Sequence, residues 1–246
     1  MTFARGVLLL GMAVATVLTF VLPPAKGFRE PDLARIIFFH LPCAFMTSGL
    51  VFLAAWQGIQ VLRTRSPQLD VRHAATVELG ALFGALTMAT GILFSKVQWG
   101  TWWQSDPRQT SFLMVLLILA VGLILRAAIG DERRRAAVSA SYSVAALVPA
   151  IYLIFVYPRL PHITKESFHP SNTIAQGGFD SAYRLGLISV FAMLVGLAVL
   201  LYRMRVRVGQ LELQWEVTNG NVDDFGHGAA DSRLVRPVSV RPERGP

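Results

Sequence analysis

Cysteine is almost absent from this sequence, and charge is scarce. A single cysteine among 246 residues, Cys43, excludes an internal disulfide and any multi-cysteine metal site. There is no Cys-x-x-Cys-His, so the chain has no usual means of attaching a c-type haem to itself. Charged residues make up 15% and hydrophobic residues 53%, where a soluble domain carries about 25% charged. That balance points to a membrane-embedded protein. Acidic residues are the scarcer sign, 15 against 23 basic, for a net charge of +8. The arginines cluster beside apolar runs rather than along one face, which fits the charge flanks of membrane spans and argues against nucleic acid as a partner. No Gly-x-x-x-x-Gly-Lys-Ser/Thr motif occurs, so any nucleotide hydrolysis belongs to another protein. The lack of an internal repeat and of broken helices near mid-membrane argues against a small-solute permease.

Apolar runs, by contrast, are plentiful. Six approach or reach the roughly 20 residues that span a bilayer: residues 6–22, 36–62, 74–94, 111–129, 136–157 and 183–202. The expected fold is all-α, a polytopic six-transmembrane helix bundle over residues 1–205, followed by a polar, loosely ordered tail over 206–246. Within that tail Leu211, Leu213, Trp215 and Val217 alternate, the pattern of a short strand or an interfacial patch. The first run is too long for a signal peptide and ends in Pro23-Pro24 rather than small residues, so it reads as a retained helix.

Basic residues orient the bundle. Arg5, Arg63, Arg65, Arg72, Arg126, Arg133, Arg134, Arg135, Arg203, Arg205 and Arg207 fall on one side, eleven in all. Lys26, Arg29, Arg35, Lys96, Arg108, Arg159, Lys165 and Arg184, eight in all, fall on the other. Both termini are therefore expected in the cytoplasm, with the loops over 23–35, 95–110 and 158–182 facing outward. Gly80 and Gly84 give the third run a small-xxx-small spacing for close helix packing. Glu78, about one turn from the cytoplasmic edge, is expected to snorkel or to pair with Arg72.

The densest chemistry lies in the second outward loop. Trp99, Trp102 and Trp103 fall within five positions, with Gly100 between them, and suggest a flat aromatic platform. Asp106-Pro107 reads as a helix start, because Asp caps well and Pro suits the first helical position. The positive end of that helix, with Arg108 in its first turn, would favour a carboxylate. Of five histidines, His40, His162 and His169 are expected near the outer face, whereas His73 and His227 are not. Imidazole is the usual axial ligand of haem iron, and a porphyrin needs flat apolar surface and a cation for its propionates. Those loops supply each of these.

The stretch Trp99-Gly-Thr-Trp-Trp-Gln-Ser-Asp-Pro-Arg-Gln-Thr110 resembles the WWD signature of haem-handling proteins of cytochrome c assembly. Six spans and this length look most like the haem exporter protein C family. The larger cytochrome c synthetase subunit shares the signature with more spans. The resemblance covers residues 5–205. It implies haem b bound non-covalently, with His40, in a His-x-Pro context, and His169, in Phe168-His169-Pro170, as axial iron ligands; His162 competes for the second place. It also implies that Trp99, Trp102, Trp103, Asp106 and Arg108 form the haem-binding surface, Arg108 against a propionate. Many relatives carry Trp where this chain has Ser105, and Leu where it has Gln109. The implied role is not enzymatic: haem is presented at the periplasmic face of a bacterial inner membrane and passed to a haem chaperone or apocytochrome. ATP-binding-cassette transporter subunits of the maturation system are the implied neighbours, and lipid surrounds the spans. The alternative is a haem b-type, quinone-linked redox subunit, which usually needs ligands projecting inside the bundle. Cys43, three residues after His40, reads as a buried free thiol.

Overall fold

The computed structural model describes residues 3–24, 28–169 and 179–231, without the side chains of residues 4, 217 and 219–231. Helix α1 is Phe3–Val21, α2 Ile37–Thr64, α3 Pro67–Trp99, α4 Pro107–Ala127 and α5 Glu132–Ile151. A short 3-10 turn, Leu33–Ile36, leads into α2. After α5 the chain continues as a π-turn, Tyr152–Val156, and a 3-10 turn, Tyr157–Arg159, before the one-turn helix α6, Pro161–Thr164. Helix α7 is Ser181–Asp231. Among the described residues there is no strand, so Leu211, Leu213, Trp215 and Val217 lie on a helix despite their alternation. Residues 232–246 of the expected tail lie outside the described residues.

Among the described residues, five helices are long and apolar enough to cross a membrane: Leu33–Thr64, Pro67–Trp99, Pro107–Ala127, Glu132–Arg159 and Ser181–Glu216. The first expected span is the shorter apolar helix Arg5–Val21. Leu10, Leu117, Ile124, Leu185 and Ile188 expose their side chains around these helices, an apolar exterior that suits lipid rather than water. The protein is an all-helical, multi-pass membrane protein. It divides into two compact units, Met1–Val206 and Arg207–Pro246, and the site described below lies wholly in the first.

Local chemistry sets the helix ends. Ser66 accepts the Leu69 amide ahead of Pro67, Asp106 accepts the Arg108 amide ahead of Pro107, and Asp131 accepts the Arg134 amide. Helix α3 runs on to Trp99, beyond the expected end at residue 94. Nothing in 95–99 breaks a helix, and Gly100 is the first residue that easily adopts the left-handed turn (φ +88°) that stops it. Prolines create two further orphans. Pro23 has no N–H for the Thr19 carbonyl, so the Arg35 guanidinium donates to the Thr19 and Leu22 carbonyls, 2.6 Å each. Pro158 likewise has none for Ile154, and Arg159 Nη1 donates instead to the Ile154 and Phe155 carbonyls at 2.9 and 3.1 Å.

Helix α2 packs between α3 and α5, and α4 closes against both. Gly84 lies where a side chain would press on Leu116 and Thr47, the close approach its small-xxx-small spacing predicts. The acids of α3 are held by distant arginines. Asp70 takes a two-pronged contact from Arg126 at 2.8 and 2.7 Å. Glu78 pairs with Arg205 of α7 at 2.6 and 2.9 Å, not with Arg72. Sequence proximity favoured Arg72; tertiary packing brings in a partner 127 positions away.

Candidate functional site

An aromatic belt runs along one end of the first unit. Phe38 stacks on Tyr183, Tyr183 on Phe179 and Phe179 on Phe28, with centroids 4.2, 4.7 and 6.4 Å apart. Phe28 meets Phe94 edge-on, and Phe94 meets Trp99 edge-on at 5.5 Å. Phe28, Phe94, Trp99 and Phe179 of this belt wall a cavity of about 290 Å³. Its lining includes His40, Thr87, Gly91, Trp99, Arg108, Gln109, Arg159 and His169.

His40, on the first turns of α2, points its ring at α3. Its Nδ1 lies 3.1 Å from the Thr87 carbonyl and 3.0 Å from Thr90 Oγ1. A carbonyl only accepts, and the Thr90 hydroxyl is already donating to the Leu86 carbonyl at 2.7 Å. Nδ1 therefore carries the proton, and Nε2 keeps its lone pair. Gly91 makes room for this ring: a Cβ there would stand 3.0 Å from His40 Cε1.

His169 reaches the same cavity from the segment before α7. Its Nδ1 donates to Asp106 Oδ1 at 2.8 Å, and its ring meets Trp99 edge-on at 4.9 Å. Asp106 is fully buried and accepts three more hydrogen bonds: from the Arg108 amide on Oδ1, and from Ser167 Oγ and the Phe168 amide on Oδ2. Burial pushes its pKa up, but the His169, Arg108 and Ser167 contacts outweigh burial and hold the carboxyl below the usual range. It is a carboxylate. Asp106 thus does more than cap α4: it fixes the ring of His169 and leaves Nε2 toward the cavity.

The tryptophans divide. Trp99, still helical, lines the cavity, whereas Trp102 and Trp103 lie beyond Gly100 with 55% and 39% of their surface exposed and do not line it. Lys96 Nζ lies 5.8 Å from the Trp102 ring centre. Gln109 is buried and clips this loop, accepting the Gln104 amide and donating to the Trp102 carbonyl, both at 3.2 Å. Ser105 takes a left-handed turn at φ 54°. Arg108 lines the cavity; His162, on α6, is exposed and does not. Cys43 is buried against Phe83 and Ala198, away from the lining.

Sequence reasoning missed Thr87, Thr90, Gly91, Phe28, Phe94, Phe179, Ser167 and Arg159. Arg159 was visible only as an outward basic residue, and Gly91 only as one of several small residues in the third run.

Both imidazoles are held through Nδ1, and neither Nε2 has a hydrogen-bond partner among the described residues. Two basic nitrogens in an aromatic-walled cavity, with two guanidiniums in its lining, fit an iron porphyrin with carboxylate side chains. A family model described as heme exporter protein C matches residues 1–219. The heme exporter protein C of Escherichia coli strain K12 is 33% identical over 200 residues, covering 80% of this chain and 78% of that protein. The protein of the same name from Bradyrhizobium diazoefficiens is 26% identical over 208 residues, covering 82% and 77%. That from Paracoccus denitrificans is 27% identical over 194 residues, covering 76% and 78%. This chain belongs to the heme exporter protein C family.

Proposed function

We propose that the protein holds haem b non-covalently at the outer face of a bacterial inner membrane and passes it to a haem chaperone or apocytochrome during c-type cytochrome assembly. The observation that carries this reading is the pair of histidines in one cavity, each tied through Nδ1 with Nε2 left to bond iron. The chain's own work is binding and orientation. Thr87 and Thr90 aim His40, Asp106 aims His169, Trp99 and the phenylalanines supply apolar contact, and Arg108 faces a propionate. Haem, when bound, would supply an iron centre, and the nitrogens of His40 and His169 would hold it and limit its reaction with oxygen. A cavity of about 290 Å³ is at the small end of pockets that bury a drug-sized ligand, about 300–1,000 Å³. It would grip one part of the macrocycle and leave a vinyl edge available to the acceptor.

The excess of arginine on one side of the spans supports cytoplasmic termini and a periplasmic 95–110 loop, with α1 as a sixth span. An ATP-binding-cassette transporter of the maturation system is the neighbour this reading implies. The relatives' printed name, heme exporter protein C, supports the cargo.

Absorption spectra of purified variants test this. The wild type is expected to show a six-coordinate, low-spin haem spectrum. His40→Ala and His169→Ala each lose that signature and most of the bound haem, and His162→Ala keeps both. Normal spectra and full haem content in His40→Ala and His169→Ala would refute the ligand assignment. No Soret band in the wild type after haem supply would refute haem binding itself.

A further inference from the structure

The segment that carries Phe28 to the cavity is tied to α3 by one buried side chain. Gln98, on the last turn of α3, is 4% exposed, and its amide meets the backbone of Glu30, 68 positions earlier. Its Oε1 accepts the Glu30 N–H at 3.2 Å, and its Nε2 donates to the Glu30 carbonyl at 2.9 Å. A residue of a neighbouring antiparallel strand exchanges the same two bonds. Only the backbone of Glu30 takes part in this pair, so its carboxylate is not needed for it.

Phe94 lies one turn before Gln98 on α3 and Trp99 is the next residue, and both rings line the cavity. Phe28, two residues before Glu30, lines it too, meeting Phe94 edge-on at 5.9 Å and stacking on Phe179 at 6.4 Å. Other anchors of this segment lie further along the chain. Arg35 donates to the carbonyls of Thr19 and Leu22, and the Tyr183 hydroxyl donates to the Ala34 carbonyl at 3.3 Å. The Glu30 carbonyl also accepts the Ala34 amide at 3.0 Å, within the turn that leads to α2. Gln98 thus joins that turn to the helix that supplies two of the cavity's rings.

We propose that Gln98 is a positioning residue: by holding the Glu30 backbone it keeps Phe28 against Phe94 and Phe179, so that the cavity wall stays closed and the ligand leaves slowly. This role rests on the haem reading above and deepens it, naming a residue that sets how long haem stays. Gln98 does not itself line the cavity, so it acts through Phe28. His40 and His169 are aimed by other groups, Thr87 with Thr90 and Asp106. Residence and iron ligation are therefore separable.

The test is transfer of haem from the purified, haem-loaded full-length protein to excess apomyoglobin, followed by Soret absorbance. Gln98→Leu should speed release several-fold, up to about tenfold, the worth of one net hydrogen bond, and keep the wild-type low-spin spectrum. The Glu30 carbonyl retains the Ala34 amide in this variant, so the turn should stay intact. Phe28→Ala should release haem at least as fast. A residue that acts through Phe28 adds nothing once that ring is gone, so the double variant should release no faster than Phe28→Ala. Effects that multiply in the double variant would overturn the role, and so would a wild-type rate in Gln98→Leu. Glu30→Ala keeps both backbone groups and should match the wild type; fast release there would overturn the assignment to the backbone pair. Loss of the low-spin spectrum together with helix content in Gln98→Leu would make Gln98 a packing residue and overturn the proposal. A wild type that takes up no haem would overturn the haem reading and this role with it.

Discussion

Asp106→Asn is expected to lower haem retention about 10- to 100-fold, the usual cost of losing the group that orients a metal-ligating histidine. Four donors converge on this carboxylate: the Arg108 amide and His169 Nδ1 on one oxygen, Ser167 Oγ and the Phe168 amide on the other. An amide replaces one accepting oxygen with an NH₂, so at least one backbone or imidazole N–H faces another donor at a buried position. Asparagine is itself a good N-cap, so α4 should still start at Pro107 and the loss falls on His169 and the segment behind it. Asp106→Ala removes the cap as well and should cost a further ~1 kcal/mol of stability.

A merely structural aspartate would leave the electronic state of any remaining haem untouched. A carboxylate bonded to Nδ1 raises the basicity of the imidazole and so favours ferric iron. In Asp106→Asn the midpoint potential should therefore move upward, and a high-spin component should appear as His169 detaches. Wild-type haem content with an unshifted spectrum and potential would sink the orienting role. The pH dependence has a definite sign. The folded carboxyl titrates below its unfolded value of about 4. Its contribution to stability is thus complete above about pH 4 and is lost as pH falls through the folded value. The gap in unfolding temperature between wild type and Asp106→Asn should be equal at pH 7 and pH 5, and should shrink below about pH 4.

Much of this site is legible in the chain, and its hidden part has a common cause. Trp99, Asp106, Arg108 and Pro107 are neighbours in sequence, so a local motif brings them to notice. What the motif does not reveal is that Gly100 splits the tryptophans, leaving Trp99 in the helix and against His169 while Trp102 and Trp103 face outward. The expected three-ring platform becomes one tryptophan extended by Phe94, Phe28 and Phe179 from other parts of the chain. Asp106 reads locally as a cap; its bond to a histidine 63 positions away depends on tertiary packing. Thr87 and Thr90 are ordinary small polar residues in an apolar run until α2 places an imidazole beside them. Gln109 holds the loop through two hydrogen bonds whose partners are irregular backbone. Helix periodicity and charge bias locate spans well, but side-chain partners between spans follow from the rotation of each helix, which apolar composition specifies weakly because lipid accepts any apolar face.

Gly91 offers the sharpest separation of stability from binding. In the interior of α3 a glycine costs roughly 1 kcal/mol relative to alanine, so local helix energetics favour replacing it. The adjacent ring opposes that change. A Cβ at position 91 would sit 3.0 Å from His40 Cε1 and 3.6 Å from its Nδ1. The ring has little freedom to retreat, since moving it breaks the contacts to the Thr87 carbonyl and Thr90 Oγ1 that select its tautomer. Gly91→Ala should therefore keep or slightly raise the unfolding temperature while reducing haem content and shifting the spectrum, because the ring must give by a few tenths of an ångström. Gly91→Leu should abolish haem binding, its side chain occupying the cavity where His40 presents Nε2, and the protein should still insert and purify because the added volume enters a cavity rather than packed core. Circular dichroism and a thermal melt on the same samples keep the two effects apart. Full haem content in Gly91→Leu would mean that His40 does not bond iron from the position it holds against α3. Loss of helix content together with haem would mean that Gly91 serves packing alone.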